Sequence, residues 1–184
     1  MVPMLNFRPV FILLLAGLFA CGGLPGLGGG GGSSDVNDGN PADVRLEASP
    51  RMVDSGDIIT VEVKISDVQG EFVLKIKHNE GLSYVPDSML LFGEGNPGPN
   101  IPTPNDFSSG TEVRYLVVPF YVPAHFGKHR KGTLTFNFQA EASLSDKIEI
   151  DADEFDKTTY NGTNFDPLNP KFSTLDEVSI RVKE

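Results

Sequence analysis

From residue 44 onward the chain alternates apolar and polar residues with a period of two. Val44, Leu46 and Ala48 alternate with Arg45 and Glu47. Ile59, Val61, Val63 and Ile65 stand against Thr60, Glu62, Lys64 and Ser66, and Phe72, Leu74 and Ile76 against Val73, Lys75 and Lys77. Val113, Tyr115 and Val117 begin a more apolar stretch, EVRYLVVPFYV. Leu134, Phe136, Phe138 and Ala140 follow, then Ile148 with Ile150, then Val178, Ile180 and Val182. Neighbouring side chains of a strand point to opposite faces, so each run offers one face to a core and one to water. No window carries a helical stripe. Turn chemistry parts the runs: Asp54-Ser55-Gly56-Asp57, Asp67-Val68-Gln69-Gly70, Asn79-Glu80-Gly81 and the stretch from Gly127 to Gly132. A single open sheet would leave one apolar face wet, so seven or eight such strands predict an all-β fold, an antiparallel two-sheet sandwich. Pro119 interrupts the fifth run, which places that strand at an edge or gives it a bulge there.

The first 43 residues follow another pattern. Val10 to Ala20 is apolar without a break, and Arg8 is the only charged side chain in the first 34 residues. That run is shorter than the about 20 residues of a bilayer-spanning helix and fits the roughly 7–15-residue core of a secretory signal peptide. The only cysteine of the chain, Cys21, follows directly after small Ala20. Leu18-Phe19-Ala20-Cys21 resembles the lipobox of bacterial lipoproteins. The resemblance implies cleavage before Cys21, a diacylglycerol on its sulfur, and durable membrane attachment by two or three acyl chains. Gly22 in place of an aspartate favours the outer membrane by the same analogy. The alternative is an ordinary signal peptide with a chance cysteine. GGLPGLGGGGGSSDVNDGNPAD then reads as a flexible tether spanning about 25 Å. The expected organisation is a signal peptide over 1–20, a lipidated cysteine and Gly-rich linker over 21–43, and a β-sandwich over 44–184.

Two stretches of the sandwich resemble known surface domains. Gly56 to Gly93, with Gly-Asp opening a strand and Gly81, Leu82, Tyr84, Val85, Pro86 and Ser88 leading into the next, is similar to bacterial immunoglobulin-like domains. YLVVPFYVPAHFGKHRKGTLTFNFQAEAS is similar to cohesin-like sandwiches. Together these likenesses imply an immunoglobulin-like or cohesin-like module on a bacterial cell envelope.

Charge and composition narrow the function classes. The whole chain carries −10, and loss of Arg8 with the leader leaves 14 basic against 25 acidic side chains, or −11. Phosphate backbones repel such a chain, which argues against nucleic-acid partners. Gly81-Leu82-Ser83-Tyr84-Val85 lacks the closing glycine of a serine-nucleophile elbow, and no H-E-x-x-H occurs. The reading is therefore a non-enzyme, a lipid-anchored envelope protein acting through protein–protein contact or as a structural or adhesive surface component. Its rival is a tethered glycan- or calcium-binding module. With no Trp and four scattered Tyr, the stacking platform of a sugar site is thin. Three further features are candidate sites. Asp151, Asp153 and Asp156 form an acidic loop between strands whose oxygens suit Ca²⁺, the one cofactor the sequence suggests, or simply solvate the loop. Lys128, Arg130 and Lys131 gather positive charge at a hairpin tip, as a contact for an acidic partner or anionic lipid, or as a solvated turn. Gly93 to Gly110 reads as a long Pro-rich loop.

Overall fold

A computed structural model describes residues 40–93, 103–155 and 165–184. The signal segment, Cys21, the glycine tether to residue 39, residues 94–102 of the Pro-rich loop, and Asp156, Asn161 and Asn164 all lie outside the described residues.

Along the chain run β1 (Asp43–Ser49), β2 (Met52–Asp54), β3 (Ile58–Ser66), β4 (Phe72–Asn79), β5 (Leu82–Tyr84) and β6 (Leu90–Gly93). Then come β7 (Asn105–Ser108), β8 (Val113–Tyr121), β9 (Gly132–Ala140), β10 (Leu144–Glu154) and β11 (Asp176–Lys183). They form two sheets. The five-stranded sheet has the order β1-β3-β9, with β5 and β6 sharing the far side of β9. The six-stranded sheet has the order β2-β11-β10-β4-β8-β7. Every pairing is antiparallel except β2 with β11. The two-sheet sandwich expected from the alternation is the fold.

The core lies between the sheets. Val61 and Val63 of β3, Leu134 and Phe136 of β9, Leu74 and Ile76 of β4, and Ile148 and Ile150 of β10 are all buried in it. Register brings like to like across the ladders, as in Val61 opposite Phe136 and Ile76 between Ile150 and Leu116. Each fully buried aliphatic or aromatic side chain contributes about 1.5–3 kcal/mol, so these positions set the register. At one end Phe72, Tyr121 and Phe126 meet with ring centroids 5.3 to 5.8 Å apart. The edge at β1 is blunted: Leu46 N–H donates to Asp176 Oδ2 at 2.8 Å, which occupies a donor that another strand would seek.

Pro119 sits where its missing N–H does no harm. The β4–β8 register slips between Phe72 and Leu74, where two residues of β8 oppose one of β4, and β7 has already ended opposite Val117.

Four expectations are corrected. The chain from Gly127 to Gly132 is not a hairpin tip, because β8 and β9 belong to different sheets. It follows a short 3-10 turn over Pro123–Phe126 and crosses between the layers. The acidic run at 151–154 is not a loop but the end of β10, where Ala152 points inward and Asp151 and Asp153 outward. Part of the Pro-rich stretch forms β7, held beside β8 with Phe107 opposite Tyr115. Finally, the described residues contain eleven strands, because β2, β5, β6 and β7 are only three or four residues long and too short to show a period.

Candidate functional site

The outer faces of the two sheets differ. In β4 the residues from Phe72 to Ile76 are all buried, so alternation places apolar side chains on both faces of this strand. On its outer face Val73 joins Tyr115 and Val117 of β8 and Phe165 in a second cluster, with Phe107, Val113, Phe155 and Phe172 packed around it. The segment 165–175 lies over this face. Its Phe165 ring sits 5.3 Å from both Phe107 and Tyr115, and Phe172 meets Tyr115 edge-on at 5.8 Å.

A charge cluster lies within this second cluster. Lys75 stands directly opposite Asp151 on the neighbouring strand, and its side chain is 0% exposed. Its Nζ lies 2.6 Å from Asp151 Oδ2 and 2.9 Å from Asp153 Oδ2, and it also donates to the backbone carbonyl of Lys171. The Phe172 ring lies 5.8 Å from the same ammonium. Asp153 spends its other oxygen on Lys171 Nζ at 3.1 Å, and Ser173 N–H donates to Asp151 Oδ2 at 3.0 Å. Beside it Lys77 reaches Glu149 at 2.6 Å, and Thr174 Oγ1 donates to the same carboxylate at 2.7 Å. Burial pushes the Lys75 ammonium down, but the hydrogen bonds and charges of Asp151 and Asp153 outweigh it and hold Lys75 above the usual lysine range. Burial pushes Asp153 up, yet Lys75 and Lys171 together hold it below the usual carboxylate range. A buried charge survives only when paired and hydrogen-bonded, and here the pairing also ties segment 165–175 to the sheet.

Two of the three carboxylates expected to bind calcium are thus engaged with ammonium groups, and Asp156 lies outside the described residues. Among the described residues no group of three or more His, Cys, Asp or Glu side chains is arranged to hold a metal ion. Lys128, Arg130 and Lys131 are all exposed, and Arg130 also donates from its guanidinium to the Val68 carbonyl at 3.1 Å. Sequence reasoning placed Lys75 on a watered face and passed over Phe165 and Phe172. Their signal in the sequence is the recurrence of aromatic residues, Phe155, Tyr160, Phe165 and Phe172, along the connection before β11.

Among the described residues, no segment is built over the outer face of the five-stranded sheet. Thr60, Glu62 and Lys64 of β3 and Thr133, Thr135 and Asn137 of β9 line it. At its border Leu90 and Phe92 of β6 are 51% and 58% exposed, opposite Thr135 and Thr133. A shallow groove beside Phe92 is walled by Lys64, Lys131 and Thr133.

No model of a known protein family matches the chain, and no curated protein does. Solved structures share its outline. A type II cohesin domain from the cellulosome of Acetivibrio cellulolyticus is 14% identical with a TM-score of 0.44, over 76% of this chain and 94% of that one. The full-length major pilin SpaD from Corynebacterium diphtheriae is 13% identical at 0.42, over 77% of this chain and 33% of that one. A non-cellulosomal cohesin from the archaeon Archaeoglobus fulgidus is 14% identical at 0.39, over 78% and 93%.

Proposed function

We propose that this chain is a non-catalytic envelope lipoprotein whose sandwich presents the open face of its five-stranded sheet to another protein. Cys21 carries the lipid, and the glycine-rich chain that precedes the folded domain gives it reach. The observation that carries the reading is the pair Leu90 and Phe92. These two large apolar side chains stay in water at alternate positions of one edge strand, while the opposite sheet has its outer face built over. Neighbouring exposed apolar side chains rimmed by polar residues mark an interaction surface. Lys131 borders the same groove and adds positive charge to an otherwise acidic chain, which favours an acidic partner.

The test uses the full chain in a bacterial host. Palmitate label on the native protein, lost together with membrane retention in Cys21→Ser, is the expected result for the anchor. A photo-crosslinking residue in place of Phe92 is expected to give one protein adduct on intact membranes, weakened by Lys131→Glu. The same residue in place of Leu168 should give none. Label that survives Cys21→Ser, or equal adducts at both positions, would contradict the reading.

A further inference from the structure

The two ends of the sandwich differ in charge, and the chain enters at one of them. Ala42 is buried, and Gln69 N–H donates to the Pro41 carbonyl at 2.8 Å, so the start of the domain is fixed to the turn after β3. The connection between β8 and β9 is clasped to the same turn. Val68 N–H donates to the Arg130 carbonyl at 3.3 Å, and the Arg130 guanidinium returns a bond to the Val68 carbonyl. Lys128, Arg130 and Lys131 therefore stand exposed at the end where the chain enters. Acidic side chains share that end on other flanks: Asp43 opens β1 at the sheet edge, and Glu71 and Glu154 lie by the β4–β10 pair. Asp67 accepts from the Gln69 side chain. At the opposite end Asn79 meets Val113 and Leu144 meets Val182, and there Asp57, Glu80, Glu112, Glu141 and Asp146 are exposed.

We propose that the connection carrying Lys128, Arg130 and Lys131 rests on anionic lipid headgroups of the membrane that holds the anchor, and so fixes which end of the domain points away from it. The proposal rests on the lipid on Cys21 proposed above. Connectivity and charge act in the same direction. The glycine-rich chain keeps the entry end within reach of the headgroups and makes the contact intramolecular, at an effective concentration on the order of millimolar. Each basic side chain brought to an anionic surface favours the docked form about fivefold. Three of them hold a free domain weakly and a tethered one well. The same surface repels the carboxylates of the far end, so an inverted domain is disfavoured twice. Leu90 and Phe92 lie along the β6 edge rather than on the entry end, which leaves them for the protein partner.

The full chain, purified from host membranes and reconstituted into vesicles, tests it. A fluorophore is attached at Ser66→Cys, exposed at the entry end, or at Ser145→Cys, exposed at the far end. A lipid with a quencher on its headgroup reports how near each one comes. In phosphatidylcholine mixed with phosphatidylglycerol, quenching at position 66 should exceed that at position 145 roughly fivefold or more. Pure phosphatidylcholine should shrink the difference, and so should about 1 M salt, where charges are screened beyond about 3 Å. Lys128→Glu should lower the docked share at least fivefold, Lys128→Glu with Lys131→Glu further still, and Lys128→Arg should leave it unchanged. Equal quenching at the two positions on the mixed vesicles would overturn the proposal and leave the anchor standing. So would docking that persists in the doubly reversed variant, or that is as strong on pure phosphatidylcholine. Native protein that does not stay on either vesicle would overturn the anchor and this contact together.

Discussion

The two outer faces of this sandwich obey one alternation and end in opposite states. On β3 and β9 the outward residues are Thr60, Glu62, Lys64, Thr133 and Thr135, and among the described residues their face is not built over. On β4 and β8 the outward residues include Val73, Tyr115 and Val117, and they hold a second cluster under segment 165–175. Period alone therefore tells which residues share a face, and the chemistry of the outward set tells whether that face stays wet. The lysines make the same point. Lys64 meets Glu47 at 2.7 Å with both side chains more than half exposed, whereas Lys75 meets two aspartates with none of its side chain exposed. Solvent screens the first pair and leaves it little net value; the second cannot lose a partner without stranding a charge.

The sharpest way to break this contrast is to cut one lysine from each face. Lys75→Ala leaves Asp151 and Asp153 without their shared cation and should cost about 3–5 kcal/mol, read as a fall in the urea midpoint. Lys64→Ala should leave the midpoint unchanged. Equal effects would erase the difference between the faces. Next come the aromatics. Phe165→Ala empties the centre of the second cluster and should cost about 3 kcal/mol, because Phe165 is 8% exposed. Phe92→Ser on the open face should stay within about 0.5 kcal/mol in the same denaturation.

A smaller effect follows from Gly132. A Cβ there would stand 2.9 Å from the Phe92 carbonyl oxygen, a backbone atom that yields only if β6 moves. Gly132→Ala should cost about 1–2 kcal/mol and displace the amide resonances of β6 more than those of β10.

The smallest effect is set by pH. Burial pushes Glu149 up, but Lys77 and Thr174 outweigh it and hold its carboxyl below its ordinary 4.5. A depressed carboxylate adds stability above its unfolded value and loses it as pH falls through the folded one. The native domain should therefore lose stability below pH 4.5 partly through this group. Glu149→Gln should start lower at neutral pH and lose less on acidification. Because the pair is partly exposed, the difference should stay below about 1 kcal/mol. Parallel pH–melting profiles for the two proteins would show that Glu149 contributes nothing to holding segment 165–175.

Most of the frame was legible. β1, β3, β9 and β11 alternate strictly, and each buries the residues that alternation puts inward. The stretch EVRYLVVPFYV is apolar in both phases, a sign of a strand buried on both sides, and β8 carries that out with Leu116 inward and Tyr115 outward. Lys75 was not legible, because a lysine between apolar residues reads as an outward side chain in water. The aspartates that hold it are distant in sequence and meet it only through the β4–β10 register. Phe165 and Phe172 lie in a polar, Pro-containing connection with no period to mark them. Cys21 and its surroundings are readable only as sequence, since they lie outside the described residues.

Hydrogen exchange at two amides tests the covered face most directly. Ser173 N–H donates to Asp151 Oδ2 and Leu175 N–H to the Ile150 carbonyl at 2.9 Å. In the native full chain both should exchange as slowly as the central amides of β10. Exchange of both at the rate of an open loop would contradict a second core sealed by segment 165–175.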